Sequence, residues 1–184
     1  MTCEQLKRFK EAKKCRFCGS ELPLEEEIKR EEGQPDDVCL KKDCQDKLRK
    51  NCVKVHPCGH PCRGFYGERE CLPCLNAECA EKAREEAKAK GIVNANIVRE
   101  GVDEDAFCTI CYISELGSEP CVKLGCGHVF HIQCIKTIID NKWPSPRITF
   151  GFMNCPSCKE EMRLDHCTPL AESLKAVKDI KDKI

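Results

Sequence analysis

The sequence of 184 residues has few of the large apolar side chains from which a hydrophobic core is built. Aromatic residues make up 5% of the chain, with one tryptophan and two tyrosines, whereas charged residues make up 34%. A small domain so poor in bulky apolar side chains usually needs disulfides or metal ions to fold. This composition argues against a single large hydrophobic core. The length of the chain suits one to two domains.

Other common signals are also missing. The formal net charge is zero, so there is no global electrostatic case for a nucleic-acid partner. The basic run from Lys7 to Arg16 suits the solvated face of a helix better than a phosphate contact. No stretch approaches the roughly eighteen apolar residues of a membrane span. The segment 1–14 is charged and has no apolar core of a signal peptide.

Cysteine, by contrast, is abundant, with 19 residues. A secreted disulfide scaffold is one explanation for such a content. The odd count, the missing signal peptide and the short spacings beside histidine favour metal binding instead. We therefore predict zinc as the cofactor, four or five ions in all, and a reducing cytoplasmic or nuclear location.

The most specific pattern lies in the last third of the chain. It contains eight ligand-type residues, in the order Cys108-x2-Cys111, Cys126-x-His128-x2-His131-x2-Cys134 and Cys155-x2-Cys158. Each Cys-x2-Cys pair can point two thiolates at one tetrahedral Zn²⁺. The order and spacing resemble a RING finger. A PHD finger, the competing module, would need a cysteine pair at the third and fourth ligands and an aromatic residue where Met153 stands.

The resemblance to a RING implies that the ligand pairs are used crosswise. One zinc ion would be bound by Cys108, Cys111, His131 and Cys134, and the other by Cys126, His128, Cys155 and Cys158. Four protein ligands leave no open position on either ion, so both ions are expected to be structural and no residue is predicted to be catalytic.

The upstream half carries further ligand-type residues. Segment 1–51 is predicted to be a treble-clef or ribbon-like zinc finger. It would have a leading helix over 1–14 and a short acidic helix over 23–32. Its predicted ligands are Cys15, Cys18, Cys39 and Cys44. Segment 52–79 is a Cys/His-rich zinc module for two sites, or for one site with spare ligands. Its candidates are Cys52, His56, Cys58, His60, Cys62, Cys71, Cys74 and Cys79.

Two segments lack such residues. Segment 80–107 is predicted to be a helical connector, with a helix over 76–90 that stops at Gly91. The remainder can be a strand or a packed linker, but is interpreted as a solvated spacer. The RING finger occupies 108–167, and 168–184 forms a C-terminal helix that begins at Thr168 and Pro169. The fold class is therefore a small zinc-stabilised α+β protein of tandem zinc-binding modules that ends in a cross-brace RING finger.

The run from Asp140 to Lys159 resembles the RING of the Pam/Highwire family of very large ubiquitin ligases, which has a similar Trp…Pro-Arg-Ile-Thr-Phe-Gly-Phe…Cys-Pro-x-Cys-Lys sequence. The likeness extends upstream to 55–62 and 71–74, and covers about residues 52–175. It implies a RING-type ubiquitin transferase, or the part of one that recruits the conjugating enzyme. The implied partners are a ubiquitin-conjugating enzyme, ubiquitin and a protein substrate.

The same resemblance assigns the docking residues. Ile110, Trp143 and Pro156 occupy the positions that form the groove for the conjugating enzyme in RING ligases. Many of these ligases have an arginine after the last zinc ligand, whereas this chain has Lys159, which cannot form a bidentate fork. The family passes ubiquitin along two cysteines of a domain that follows the RING, and this sequence stops at Ile184, where that domain would begin.

Two alternatives remain open at this stage. The RING finger can be an interaction module without transferase activity, or the upstream fingers can bind nucleic acid. Cys3, Cys121 and Cys167 lie outside the ligand sets and are interpreted as structural or incidental, because the adjacency of His166 to Cys167 shows neither a lowered pKa nor an acceptor.

Overall fold

A computed structural model describes residues 13–22, 35–92, 96–142, 149–164 and 167–183. Within these ranges the chain is a small α+β protein, as predicted, with four α-helices and one two-stranded sheet. In chain order the elements are α1 (Lys42–Leu48), α2 (Ala77–Ala89), β1 (Cys121–Lys123), β2 (Val129–His131), α3 (Ile132–Asn141) and α4 (Thr168–Lys181). The predicted helices over 1–14 and 23–32 fall almost wholly outside the described residues. Among the described residues no helix is long and apolar enough to cross a bilayer.

Helix α2 begins and ends where its sequence predicts. The side chain of Asn76 accepts a hydrogen bond from the backbone N–H of Cys79 and so caps the first turn. Gly91 follows the last turn with a φ of +63°, the left-handed conformation that glycine adopts without steric cost. This cap places Cys79 in the first turn of α2, facing the loop that contains the other ligands of its group.

The C-terminal third is built around the sheet. Strands β1 and β2 are antiparallel, with Cys121 opposite His131 and Val122 opposite Phe130. Helix α3 follows β2 directly and buries Ile135 and Ile139. Because β2 and the start of α3 are contiguous, two metal-ligand candidates, His131 and Cys134, lie within one turn of each other.

One apolar cluster runs through the upstream module, the connector and the C-terminal third. Its members include Phe65 and Leu75 from the module, Val98 from the connector, Leu124 from the sheet region and Val177 from α4. A second, smaller cluster lies in the N-terminal finger. The predicted segments of residues 52 to 184 therefore share one core.

The prediction that the end of the connector is a solvated spacer is wrong. Val98 is 2% exposed. The backbone N–H of Arg99 donates to the oxygen of Gly127 at 3.1 Å, and that of Glu104 donates to the oxygen of Leu75 at 2.8 Å. These backbone bonds dock the segment onto both neighbours, and the burial of Val98 adds a hydrophobic contribution.

Arg63 joins the three regions of the chain. Its carbonyl oxygen accepts from the N–H of Cys121 at 2.8 Å, and its guanidinium donates twice to Glu104, at 2.8 and 3.1 Å. A third donor reaches the carbonyl oxygen of Arg16 at 3.2 Å. Arg16 in turn is paired with Asp37 through two hydrogen bonds. The N-terminal finger is thus connected to the larger core by a chain of arginine contacts.

We expect Arg63→Ala to lower the free energy of unfolding by about 2 kcal/mol, between the value of an exposed ion pair and that of a fully buried one. The side chains of Arg63 and Glu104 are 15% and 25% exposed, so the truncation leaves a largely desolvated carboxylate unpaired. Urea unfolding measures the change.

Lys136→Ala is the matched control, because its ion pair with Asp140 is 53% and 54% exposed. We expect the control to cost less than about 0.5 kcal/mol. Equal losses in the two variants would show that the Arg63 contacts carry no special share of the stability.

Candidate metal centres

Among the described residues, five groups of side chains bring their ligand atoms within 4.8 Å of one another. The groups are Cys15, Cys18, Cys39 and Cys44; Cys58, His60, Cys74 and Cys79; Cys108, Cys111, His131 and Cys134; Cys126, His128, Cys155 and Cys158; and Cys52, Cys62, Glu68 and Cys71. Their sulfur and imidazole donors are those that structural zinc prefers. Every cysteine predicted as a ligand falls into one of the five groups, as do three of the four predicted histidines.

Three of the Cys-x2-Cys knuckles share one backbone geometry. In each, the residue after the second cysteine donates its N–H to the carbonyl oxygen of the first, at 2.8 to 2.9 Å; these residues are Gly19, Tyr112 and Lys159. All three have a positive φ, between 53° and 66°. A left-handed conformation costs about 1–2 kcal/mol for a residue other than glycine. A metal ion bound by the two thiolates offsets this cost, because it needs both sulfurs on the same side of the turn.

The N-terminal group combines a knuckle with the start of α1. The N–H of Cys39 donates to the sulfur of Cys15 at 3.4 Å, and the sulfurs of Cys18 and Cys39 are 3.6 Å apart. The hydrogen bond with the Ser20 hydroxyl lowers the pKa of Cys18 to about 6. Burial and the neighbouring thiols raise the pKa of Cys44. Thiolates this close repel one another, and a divalent cation relieves that repulsion.

In the third group a second hydrogen bond selects the ligand atom of His131. Its Nε2–H donates to the carbonyl oxygen of Glu115 at 3.1 Å, which leaves the Nδ1 lone pair for a metal. Nδ1 lies 3.6 Å from the sulfur of Cys111 and 3.9 Å from that of Cys134. Against the opposing effect of burial, hydrogen bonding to His131 lowers the pKa of Cys108 to about 6. The same hydrogen bond with Cys108 raises the pKa of His131 to about 9, so the two groups share a proton at Nδ1 that a bound metal ion would replace.

The fourth group is arranged around His128. Its Nδ1 lies 3.4 Å from the sulfur of Cys126 and 3.6 Å from that of Cys155. Burial lowers the pKa of His128, which favours the neutral imidazole that metals require. Burial also raises the pKa of Cys126 to about 12. The third and fourth groups take alternate ligand pairs along the sequence, as the crosswise scheme requires.

Segment 52–79 supplies two groups. In the first, Nδ1 of His60 lies 3.4 Å from the sulfur of Cys58 and 3.5 Å from that of Cys79, and the sulfurs of Cys58 and Cys74 are 3.6 Å apart. The structure thus supports the alternative of two sites over that of one site with spare ligands. His56, predicted as a ligand, lies outside both groups.

The second group of this segment contains a carboxylate that the sequence did not indicate. Glu68 takes the place beside Cys52, Cys62 and Cys71. No local signal distinguishes Glu68 from Glu70, because acidic side chains on loops are common. Its role depends on the path of the loop between Cys62 and Cys71, which spacing alone does not define.

The predicted docking residues lie on two neighbouring knuckles. Ile110 and Pro156 are half-buried in the first and last knuckles of the C-terminal third. The knuckles adjoin, since the hydroxyls of Thr109 and Ser157 are 3.3 Å apart. The ammonium of Lys159 donates to the carbonyl oxygen of Pro156 at 2.8 Å. Trp143 lies outside the described residues.

Beside this pair, Tyr112 and Ile113 are among the most exposed apolar side chains of the described chain. The sequence does not indicate either residue as part of the surface, although both directly follow the knuckle that contains Ile110. Their exposure widens the apolar surface next to Ile110.

The remaining described cysteines are core residues. Cys121 and Cys167 are both buried and belong to the main apolar cluster. Burial raises the pKa of each thiol, well above the ordinary value for Cys121. A nucleophilic cysteine needs a lowered pKa and access to solvent, so neither residue suits covalent transfer. Cys3 lies outside the described residues.

Comparison with known proteins gives relatives but no matching family model. The chain is 36% identical over 173 residues to "E3 ubiquitin-protein ligase highwire" of Drosophila melanogaster. It is also 36% identical over 170 residues to "E3 ubiquitin-protein ligase MYCBP2" of Danio rerio. In both cases the match covers 92% of this chain and 3% of the relative. The chain therefore corresponds to a short segment of each of these proteins.

Proposed function

We propose, from the premise that this chain belongs to the Pam/Highwire family, that it is a RING-type ubiquitin ligase or the part of one that docks a charged ubiquitin-conjugating enzyme. The matched relatives are named as ubiquitin ligases. A short segment of a large ligase that holds two interleaved metal groups is a suitable platform for the conjugating enzyme. The ubiquitin carried by that enzyme and a protein substrate are the further partners, in the cytoplasm or the nucleus.

The observation that carries the proposal is the contact between the first and last knuckles. The hydroxyl contact of Thr109 and Ser157 brings Ile110 and Pro156 to one surface, although 46 positions separate them in the sequence. In a RING ligase these two positions form the groove for the conjugating enzyme. Both zinc ions would be structural, so the platform acts by presenting a shape and not by activating water.

The proposal is tested by following ubiquitin discharge from a charged conjugating enzyme. The chain is added with free lysine, with free threonine or with no acceptor. Discharge that is faster with the chain supports the ligase, and the preferred acceptor identifies lysine or hydroxyl chemistry. Unchanged discharge in all three reactions would contradict ligase activity in this chain and leave the RING as an interaction module.

One observation favours that second candidate function. The ammonium of Lys159 is bound to Pro156 within its own knuckle, so it is not extended toward a partner. An arginine at this position could form two parallel hydrogen bonds, which the single ammonium point charge cannot. Recruitment without direct activation of the thioester is the behaviour expected of such a surface.

We expect Lys159→Arg to raise discharge onto free lysine by about tenfold, because one added charge-assisted hydrogen bond is worth about 1.4 kcal/mol. Arginine keeps the positive charge of the lysine, and the backbone at this position keeps its left-handed φ of 63°. Single-turnover discharge at saturating chain measures the change.

Lys159→Ala is the control for loss of the charge. We expect no gain from it, and the zinc content of both variants to match the parent. A discharge rate of Lys159→Arg equal to that of the parent would contradict the view that the lysine limits direct transfer.

A further inference from the structure

We propose that the chain binds a fifth zinc ion between the upstream module and the sheet, and that the carboxylate of Glu68 is its fourth ligand beside Cys52, Cys62 and Cys71. This inference goes beyond the proposed ligase function and does not depend on it, because it concerns a site outside the two interleaved groups.

The first support is the concentration of negative donors. The four ligand atoms lie within 4.8 Å of one another, and the sulfur of Cys62 is 3.2 Å from Oε1 of Glu68. Cys52 and Cys62 are buried. Among the described residues no lysine or arginine forms an ion pair with Glu68, although the carboxylate interacts electrostatically with the imidazole of His56. Three sulfur donors and a carboxylate gathered in such a place supply the four ligands of a structural zinc site.

The second support is the space that Gly64 leaves. A Cβ atom built at this residue would lie 2.0 Å from Oε2 of Glu68. Gly64 has no positive φ, so its backbone conformation does not require glycine. A side chain at residue 64 would instead take the space of the Glu68 carboxylate and displace it. The N–H of Gly64 also donates to the sulfur of Cys62 at 3.4 Å, which fixes the position of that sulfur beside the carboxylate.

His56 is the rival ligand. Its Nε2 is buried and has no hydrogen-bond partner among the described residues, a state that ordinarily costs stability. The imidazole nevertheless lies outside the group, and its backbone is bonded to the turn at His60 and Gly59. The geometry therefore assigns the fourth position to Glu68, and His56 is the residue whose replacement discriminates between the two assignments.

The location of the site gives the ion a defined structural task. Residues 62 to 71 form the loop whose Arg63 accepts the N–H of Cys121 and whose Phe65 enters the main core. An ion bound at both ends of this loop fixes it against β1. Because a carboxylate oxygen is a harder donor than sulfur or imidazole nitrogen, we expect this ion to leave before the others in a chelator titration.

The test uses the full chain and Zn²⁺ alone. Elemental mass spectrometry gives the zinc content, and competition with a chromogenic chelator gives the dissociation constant of the weakest ion. We expect five ions in the parent. We expect Glu68→Ala to weaken the weakest site at least tenfold or to reduce the content to four, and Gly64→Ala to do the same because its methyl group displaces the carboxylate.

Glu70→Ala, two residues away and outside the group, is the matched control and should retain the parent values. His56→Ala should also retain them. A weakening in His56→Ala as large as that in Glu68→Ala would overturn the assignment of the carboxylate. Four ions in the parent would overturn the site itself. The zinc content and the dissociation constant are measured without ubiquitin. A negative result for the fifth zinc site is therefore independent of a negative result for the ligase proposal.

Substitution of Co²⁺ provides a second measurement that does not depend on affinity. A Cys3-carboxylate site and a Cys3-imidazole site differ in the absorption of the bound cobalt ion. We expect the visible spectrum of the weakest site to change in Glu68→Ala and to stay unchanged in His56→Ala. The reverse pattern would assign the fourth position to His56.

Discussion

Ile110→Ala should abolish ubiquitin discharge from the charged conjugating enzyme while leaving the zinc content of the chain unchanged. Ile110 lies inside the first knuckle, half-buried and packed on the main core, so its outer atoms form part of the surface beside Pro156. An anchor residue at the centre of an interface is worth about 2 kcal/mol or more when truncated to alanine. Such a loss reduces the population of the docked complex by about thirtyfold or more.

We expect intact zinc sites because Ile110 supplies no ligand atom. It lies in the knuckle between the ligand candidates Cys108 and Cys111. Removal of its outer atoms leaves the backbone bond from Tyr112 to Cys108 in place. Ile92→Ala is the matched control, because Ile92 is an exposed isoleucine of the connector outside the core. Equal discharge by Ile110→Ala and the parent would refute the docking role of the first knuckle.

Cys155→Ser should remove one zinc ion and unfold the C-terminal third. A structural zinc site contributes on the order of 10–16 kcal/mol at neutral pH, which is comparable to the typical 5–15 kcal/mol stability of a whole domain. The cysteine is 0% exposed and lies 3.6 Å from Nδ1 of His128. A serine oxygen in its place is a poor zinc ligand, and the remaining thiolates lose the ion that holds them together.

Cys121→Ser is an unusually close control for this experiment. Cys121 is also 0% exposed but belongs to none of the five groups, and its sulfur donates to the carbonyl oxygen of Leu116 at 3.1 Å. A serine hydroxyl can make the same bond, so we expect full zinc content and a loss of about 1–3 kcal/mol. Zinc content and the circular dichroism of the two variants are compared. Loss of an ion from both variants, or from neither, would contradict the ligand assignment.

The sequence predicts the parts of the site that are locally encoded. A Cys-x2-Cys knuckle carries its own geometry, so the ligand candidates of three groups follow from spacing and from the order of the pairs, whereas the division of segment 52–79 into two groups does not. Helix α2 is predicted for a similar reason, since Asn76 and Gly91 define its ends. These features depend on contacts between residues close in the sequence, which a single chain displays directly.

The features that sequence reasoning missed depend on contacts between distant residues. Val98 follows Ile97 in a short apolar stretch without a clear period, and its burial depends on docking of the connector on Gly127 and its surroundings. Glu68 resembles any acidic loop residue until the chain brings it beside Cys52. The imidazole of His56 is a suitable zinc donor, and the sequence therefore predicts it as a ligand. The backbone turn with Gly59 and His60 places it outside the group of Cys52, Cys62, Glu68 and Cys71.

The arginine contacts and the shared apolar cluster join the described parts of the chain into one structural unit. Cutting before Cys108 would separate Leu116, Leu124 and Phe130 from Phe65, Leu75 and Val98, with which they form one cluster. The freshly exposed faces would favour self-association of the excised fragment. We therefore expect a substitution in the upstream segments to change the surface beside Ile110 indirectly, through the shared core, and not by direct contact with a partner.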